Sequence, residues 1–138
     1  MKFEIKHRIS GAVIFSLECE SMMLCVEAAV KSGASLDGAI LIDASLDGAI
    51  LIDASLEGAI LEGASLDGAS QVNDLGQPNG WNAFAWVKDN QVMVQVGCRS
   101  FTLADGRAYW TGKENRREVM AALDYAEKIA EIRGWITK

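Results

Sequence analysis

Three spacings of apolar residues succeed one another along this chain. From Lys2 to Arg8, Phe3, Ile5 and His7 alternate with Glu4, Lys6 and Arg8. The alternation resumes after Ser10-Gly11, at Val13, Phe15 and Leu17. A period of two gives each strand one buried face, so these residues predict a β-hairpin. Ser21 then offers a cap for a short helix through Met22, Leu24, Val26, Ala29 and Val30, stopped by Gly33. From Ala34 the period changes to five, and it stays five until about Asn73. Leu75 to Gly80 reads as loop. Ala83 to Val87 and Gln91 to Val96 form a second hairpin around Lys88-Asp89-Asn90. Thr102 and Asp105 have capping-box spacing, which starts a helix over Leu103 to Trp110. Between Asn115 and Arg133, Val119, Ala122, Leu123, Ala126, Ile129 and Ala130 line one face of a longer helix, ended by Gly134.

The five-residue segment reads ASLDG, AILID, ASLDG, AILID, ASLEG, AILEG, ASLDG, ASQVN. Neither the helical nor the strand period divides five, so no plain helix or strand keeps the leucines on one face. A short fixed period instead marks a solenoid, whose units bury apolar residues against stacked neighbours. Gly or Asp in most fifth positions suits a corner where the chain turns tightly. The block ASLDGAILID occurs twice in identical copy. Packing alone tolerates many outward side chains, so the identity points to a recent duplication or a designed insert.

This segment resembles the pentapeptide-repeat family, whose units run Ala, small polar, Leu and two variable residues. The resemblance implies a right-handed quadrilateral β-helix with four units per coil. Leu36, Leu41, Leu46, Leu51, Leu56, Leu61 and Leu66 would point inward. So would Ala34, Ala39, Ala44, Ala49, Ala54, Ala59, Ala64 and Ala69. Eight units give two coils, a stub about 10 Å tall at roughly 4.8 Å per strand. The expected fold is therefore α+β in a single domain, 1–138. Residues 1–33 are a hairpin and capping helix, 34–74 the β-helix, and 75–138 a hairpin with helices. The flanks resemble phage and prophage pentapeptide-repeat proteins, through Gly97-Cys98-Arg99, Phe101-Thr102, Arg117, Tyr125, Gly134 and Trp135. That implies a bacterial or phage setting and brings no catalytic residues.

One departure from the family pattern matters. Ile40, Ile50 and Ile60 occupy the usually polar second position, and Ile42 and Ile52 the fourth. With four units per coil, Ile40 would stack with Ile60 and Ile50 with Ser70. Apolar patches on such a stub call for cover from its flanks or from another chain. The interface candidates are therefore Ile40, Ile42, Ile50, Ile52 and Ile60, joined by Trp81, Trp110 and Trp135 of the aromatic tail.

Charge sharpens the division. Between Lys31 and Lys88 there is no Lys or Arg, but there are eight acids, within a chain of net charge −6. Asp37, Asp43, Asp47, Asp53, Glu57, Glu62 and Asp67 form an acidic surface on the repeat. Direct nucleic-acid binding is not expected, because phosphates need clustered cations. Half the residues are hydrophobic, which argues against disorder. No apolar run is long enough for a membrane span or an export signal, and three cysteines without ligand spacing suit a reducing cytosol.

Candidate chemistry is sparse. Cys98, between Gly97 and Arg99 and ahead of a capped helix, has a cation and a helix start to lower its pKa. A cysteine nucleophile also needs a base, and the sole histidine is His7 on the first strand. No metal set or glycine-rich phosphate loop is present in the sequence, and no cofactor is expected. The sequence thus points first to a non-enzymatic interaction or scaffold protein, partnered by itself or another protein. Second comes an acidic DNA-mimic inhibitor of a DNA-binding enzyme such as a topoisomerase, and third a small enzyme using Cys98.

Overall fold

The computed structural model describes residues 1–52, 54–97 and 99–136. The chain divides into two compact units, Met1–Gln71 and Val72–Lys138. It is a mixed α+β protein.

In the first unit, strands β1 (Lys2–Lys6) and β2 (Val13–Glu18) pair antiparallel, with a register shift between Ile5 and Lys6. Helix α1 (Met22–Lys31) follows. Its first turn is capped by the Ser21 side chain, which accepts from the Leu24 amide. Its last turn closes through Gly33 N–H to Val30 O and Ala34 N–H to Ala29 O, with Gly33 at φ 83°. That pair of bonds is a Schellman ending, and it delivers the chain directly into the repeat. Cys25, Val26 and Ala29 are the buried face of α1.

Each leucine carbonyl of the repeat accepts from the alanine amide three residues on, from Leu36–Ala39 to Leu66–Ala69. The residue before that alanine has positive φ: Gly38, Gly48, Gly58, Gly63 and Gly68 at 70–74°, and Asp43 at 58°. Positive φ only at the third turn position is the type II geometry, so the corners predicted from the fifth position are β-turns. Between corners the backbone bonds to units further along the repeat. Leu36, Leu41 and Leu46 donate to Ser55, Ile60 and Ser65, while Ile60, Ser65 and Ser70 donate back to Ala39, Ala44 and Ala49. The parallel bridges Ile40–Ile60 and Ser45–Ser65 fix the offset at twenty residues, or four units. Six of the seven leucines are buried; Leu61, like Ala34, Ala44 and Ala64, is half-buried. At about 1.5–3 kcal/mol per buried leucine, this row is the main apolar contribution to the unit. The far edge of the first coil is taken by the end of β1. Arg8 N–H donates to Gly38 O, Ile40 N–H donates to Lys6 O, and His7 bridges Ala39 antiparallel.

The second unit is a four-stranded antiparallel sheet, β3 (Val72–Asp74), β4 (Ala83–Lys88), β5 (Gln91–Val96) and β6 (Arg99–Thr102), in that order. Helices α2 (Leu103–Trp110) and α3 (Arg117–Ile132) complete it. The predicted second hairpin is present and turns on Asp89 and Asn90, both at positive φ. Thr102 caps α2 by accepting from the Asp105 amide. Two strands were not foreseen. Val72 and Asn73, assigned to the last repeat unit, pair with Trp86 and Ala85 instead, and Arg99–Thr102 extends the sheet beyond β5. The helix-side core holds Ala83, Ala85, Val87, Val94, Val119 and Leu123, with Trp110 and Trp135 among them. Gly106 lets α2 settle closely, since a Cβ there would lie 3.3 Å from Val94 Cγ2. Arg133 donates to the Asn73 side chain, tying the end of α3 to β3.

Candidate functional site

The repeat presents two kinds of surface. Ile42, Ile50 and Ile52 are 50 %, 61 % and 49 % exposed, whereas Ile40 and Ile60 are half-buried side by side. Ile42 occupies the second position of a type II corner, where a side chain points away from the coil. Ile50 is held from outside: its amide donates to the Glu27 carboxylate of α1 at 2.7 Å. The capping helix therefore touches the repeat on this side while leaving the isoleucine side chain in solvent.

The acids at the corners have a structural task the sequence reading missed. Asp37 Oδ1 accepts from Ser55 Oγ at 2.6 Å and from Glu57 N–H at 2.9 Å. Asp47 Oδ1 accepts from Ser65 Oγ and from Asp67 N–H in the same way. An Asp in one coil thus grips a Ser and an amide in the next. The signal was visible, because Ser at the second position and Asp or Glu at the fourth recur in the same units, and the Ile units lack that Ser. Asp43, Asp47, Glu57, Glu62 and Asp67 are exposed. Asp53 lies outside the described residues.

The aromatic candidates separate. Trp81 is 40 % exposed, but Trp110 and Trp135 are 2 % and 7 % exposed. Their place in the interface set is corrected: both side chains are core, packed between α2, α3 and the sheet. Trp110 sits edge-on to Phe101 and Tyr109, at 5.1 and 5.0 Å between ring centroids. Around this aromatic group stands a set of cations that sequence alone did not assemble. Arg99 and Lys113 both lie over the Tyr109 ring, at 5.1 and 4.5 Å, and Arg116 lies over Trp81 at 4.9 Å.

Cys98 lies outside the described residues. His7 is engaged elsewhere: its Nδ1 accepts from the Ile9 and Ser10 amides at 3.2 and 3.4 Å, and its ring packs on Gly38. Cys19 and Cys25 are free thiols. Burial, with the nearby Cys19 adding to it, pushes the Cys25 thiol up from its ordinary value, away from the reactive thiolate. Among the described residues there is no group of three His, Cys, Asp or Glu placed to hold a metal ion, and no helix long and apolar enough to cross a membrane.

The family model for pentapeptide repeats matches residues 32–69 in eight copies. The matched span is the segment whose backbone bonds repeat at twenty residues, so this chain carries a pentapeptide-repeat segment flanked by a hairpin-helix and a sheet-helix unit. No curated protein and no solved structure matches the chain.

Proposed function

We propose that this is a non-enzymatic interaction or scaffold protein, whose repeat coils as a right-handed quadrilateral β-helix of two coils and associates with a second copy. The observation that carries the reading is the exposure of Ile42, Ile50 and Ile52 on a rigid, hydrogen-bonded framework. Single exposed apolar residues are ordinary, but three on a stub of about 10 Å make a sizeable part of its surface. The alternating AILID units place them there. A bacterial or phage cytosolic setting accords with the two free thiols.

Light scattering over a wide concentration range at about 1 M salt, where charged contacts are screened, tests it, on this chain and on Ile42→Ser, Ile50→Ser, Ile52→Ser combined. A defined oligomer that the triple change reduces to monomer is the expected result. An unchanged mass would remove the isoleucines from the interface. A second reading, the acidic DNA mimic, draws on the stacked corner pairs Asp37 with Glu57 and Asp47 with Asp67. It ranks lower because two coils barely match the roughly 12 Å width of one major groove. Failure to slow a topoisomerase at high protein excess would eliminate it.

A further inference from the structure

The second unit balances some of its cations and leaves others without an acid. Arg107 bonds Asp124 at 2.7 Å and Glu127 at 3.1 Å. Arg99, Lys113, Arg116 and Arg117 form no ion pair with a carboxylate among the described residues. Three of these four lie over aromatic rings. Arg99 and Lys113 share Tyr109, Arg116 lies on Trp81, and Trp81 in turn packs beside Gly97, two residues from Arg99. Next to them an open groove of about 550 Å³ is lined by Lys113, Arg116, Arg117 and Met120. Glu114 is the acid on the same rim, and Asp124 on that rim is already bonded to Arg107. Rings that hold the charged heads of cations preorganise them.

The first unit carries the complement. Asp43 and Glu62 stand at one stacked corner, Asp47 and Asp67 at the next, with Ser45 bridged to Ser65 between them. All four acids are exposed. Arg8, whose guanidinium lies against Gly58, belongs to a different corner. This serine-bearing face has four carboxylates and no cation of the repeat to offset them, because the repeat has none.

We propose that the cation–aromatic surface of the second unit is a docking site for a carboxylate-lined protein surface, and that its occupant is the serine-bearing acidic face of the repeat on a second copy. Charge complementarity selects the occupant: one sequence supplies both the unpaired cations and the unpaired acids. Nucleic acid fits less well, since bases stack on free rings and cations already cover Tyr109 and Trp81. The contact joins different surfaces on the two copies, so it is head-to-tail, and it closes into a ring or propagates. It goes beyond the isoleucine reading and does not depend on it.

Charge reversal and exchange test it on the full chain, by light scattering at low salt and at about 1 M salt, where charges are screened within roughly 3 Å. The chain is expected to have a higher mass at low salt than at high salt, whereas association through isoleucines survives high salt. Arg99→Glu, Lys113→Glu, Arg116→Glu combined should lose the salt-dependent association, and so should Glu62→Lys, Asp67→Lys combined. Neither of those two acids makes the coil-to-coil bond, so the second variant keeps its stitches. Mixing the two variants should restore association at low salt, because reversed patch then meets reversed face. Near-UV circular dichroism confirms that each is folded. Should the triple reversal unfold, Lys113→Gln with Arg116→Gln takes its place, with an expected loss of at least tenfold in affinity. A chain whose mass is the same at low and high salt, a reversal that leaves the low-salt mass unchanged, or a mixture that gains no mass would each overturn the proposal. So would a monomer that binds a poly-dT oligonucleotide, which would assign the patch to nucleic acid.

Discussion

In the repeat, backbone contacts recur at fixed offsets, a turn bond in every unit and a parallel bridge twenty residues on. In the second unit, Leu123 shares a core with Val94 and Trp110, at separations that no short period contains. The first arrangement draws on a small set of residue types used again and again: Leu inside, Gly at the turn, Ser and Asp as a stitch. The second draws on large single residues, each used once. A repeat spreads its stability over equivalent positions, whereas the sheet-helix unit concentrates it in a few aromatic side chains.

Core truncation should expose the contrast most sharply. Trp110→Ala is expected to cost about 3–5 kcal/mol and Leu46→Ala about 2–5 kcal/mol, measured by urea denaturation. Hydrogen exchange should then show the protection loss of Leu46→Ala centred on Met1–Gln71 and that of Trp110→Ala on Val72–Lys138. Uniform loss in both variants would mean the two units open as one.

The corners come next in size. A Cβ at Gly63 would lie against the Asp43 carboxylate, and Gly63 has φ 70°. Gly63→Ala should therefore cost about 1–2 kcal/mol, for both strain and contact. In an Asp43→Gly background the contact part disappears. A double-mutant cycle in urea that shows no coupling between the two sites would contradict the stacked-corner geometry.

Removing a stitch should cost less. Asp37→Ala deletes two bonds to the next coil, one of them to a backbone amide, for an expected loss of about 1–2 kcal/mol in thermal or chemical unfolding. The counterpart in the second unit, Arg107→Ala, removes a bidentate surface pair and should cost about 1 kcal/mol or less. Hydrogen bonding to Asp124 holds the Arg107 guanidinium still more firmly protonated than usual, so no pH dependence of that loss is expected near neutrality.

The smallest effect concerns Cys25. Its thiol is raised in the folded chain, so on raising pH the unfolded chain ionises first. The contribution is intact below the ordinary thiol value and is lost as pH climbs through it toward the folded value. The urea midpoint should thus fall slightly between about pH 7 and pH 10, and Cys25→Ala should remove that part of the slope. Native-state alkylation should reach the half-buried Cys19 before Cys25.

Legibility in the sequence follows the same contrast. The hairpin, the helices with their Ser21 and Thr102 caps, and the five-residue turns rest on local rules, and the structure has them. Strands β3 and β6 escaped because three or four residues are too few to show alternation, and Val72 followed a repeat that seemed to continue through it. Trp110 and Trp135 were misplaced for a related reason: an aromatic outside a periodic pattern reads alike whether it covers a core or a partner. The cation–aromatic surface could not be read at all, since Arg116 and Trp81 meet only after the sheet and α3 have packed.

The twenty-residue offset has one more consequence. Each coil consumes two ten-residue blocks of the kind that ASLDGAILID repeats in identical copy. Since the block is ten residues and the offset twenty, gain or loss of one block still pairs Ser-bearing units with Ser-bearing units and Ile-bearing units with Ile-bearing units. Slippage during copying would therefore change the length of the repeat without changing which kind of unit stacks on which.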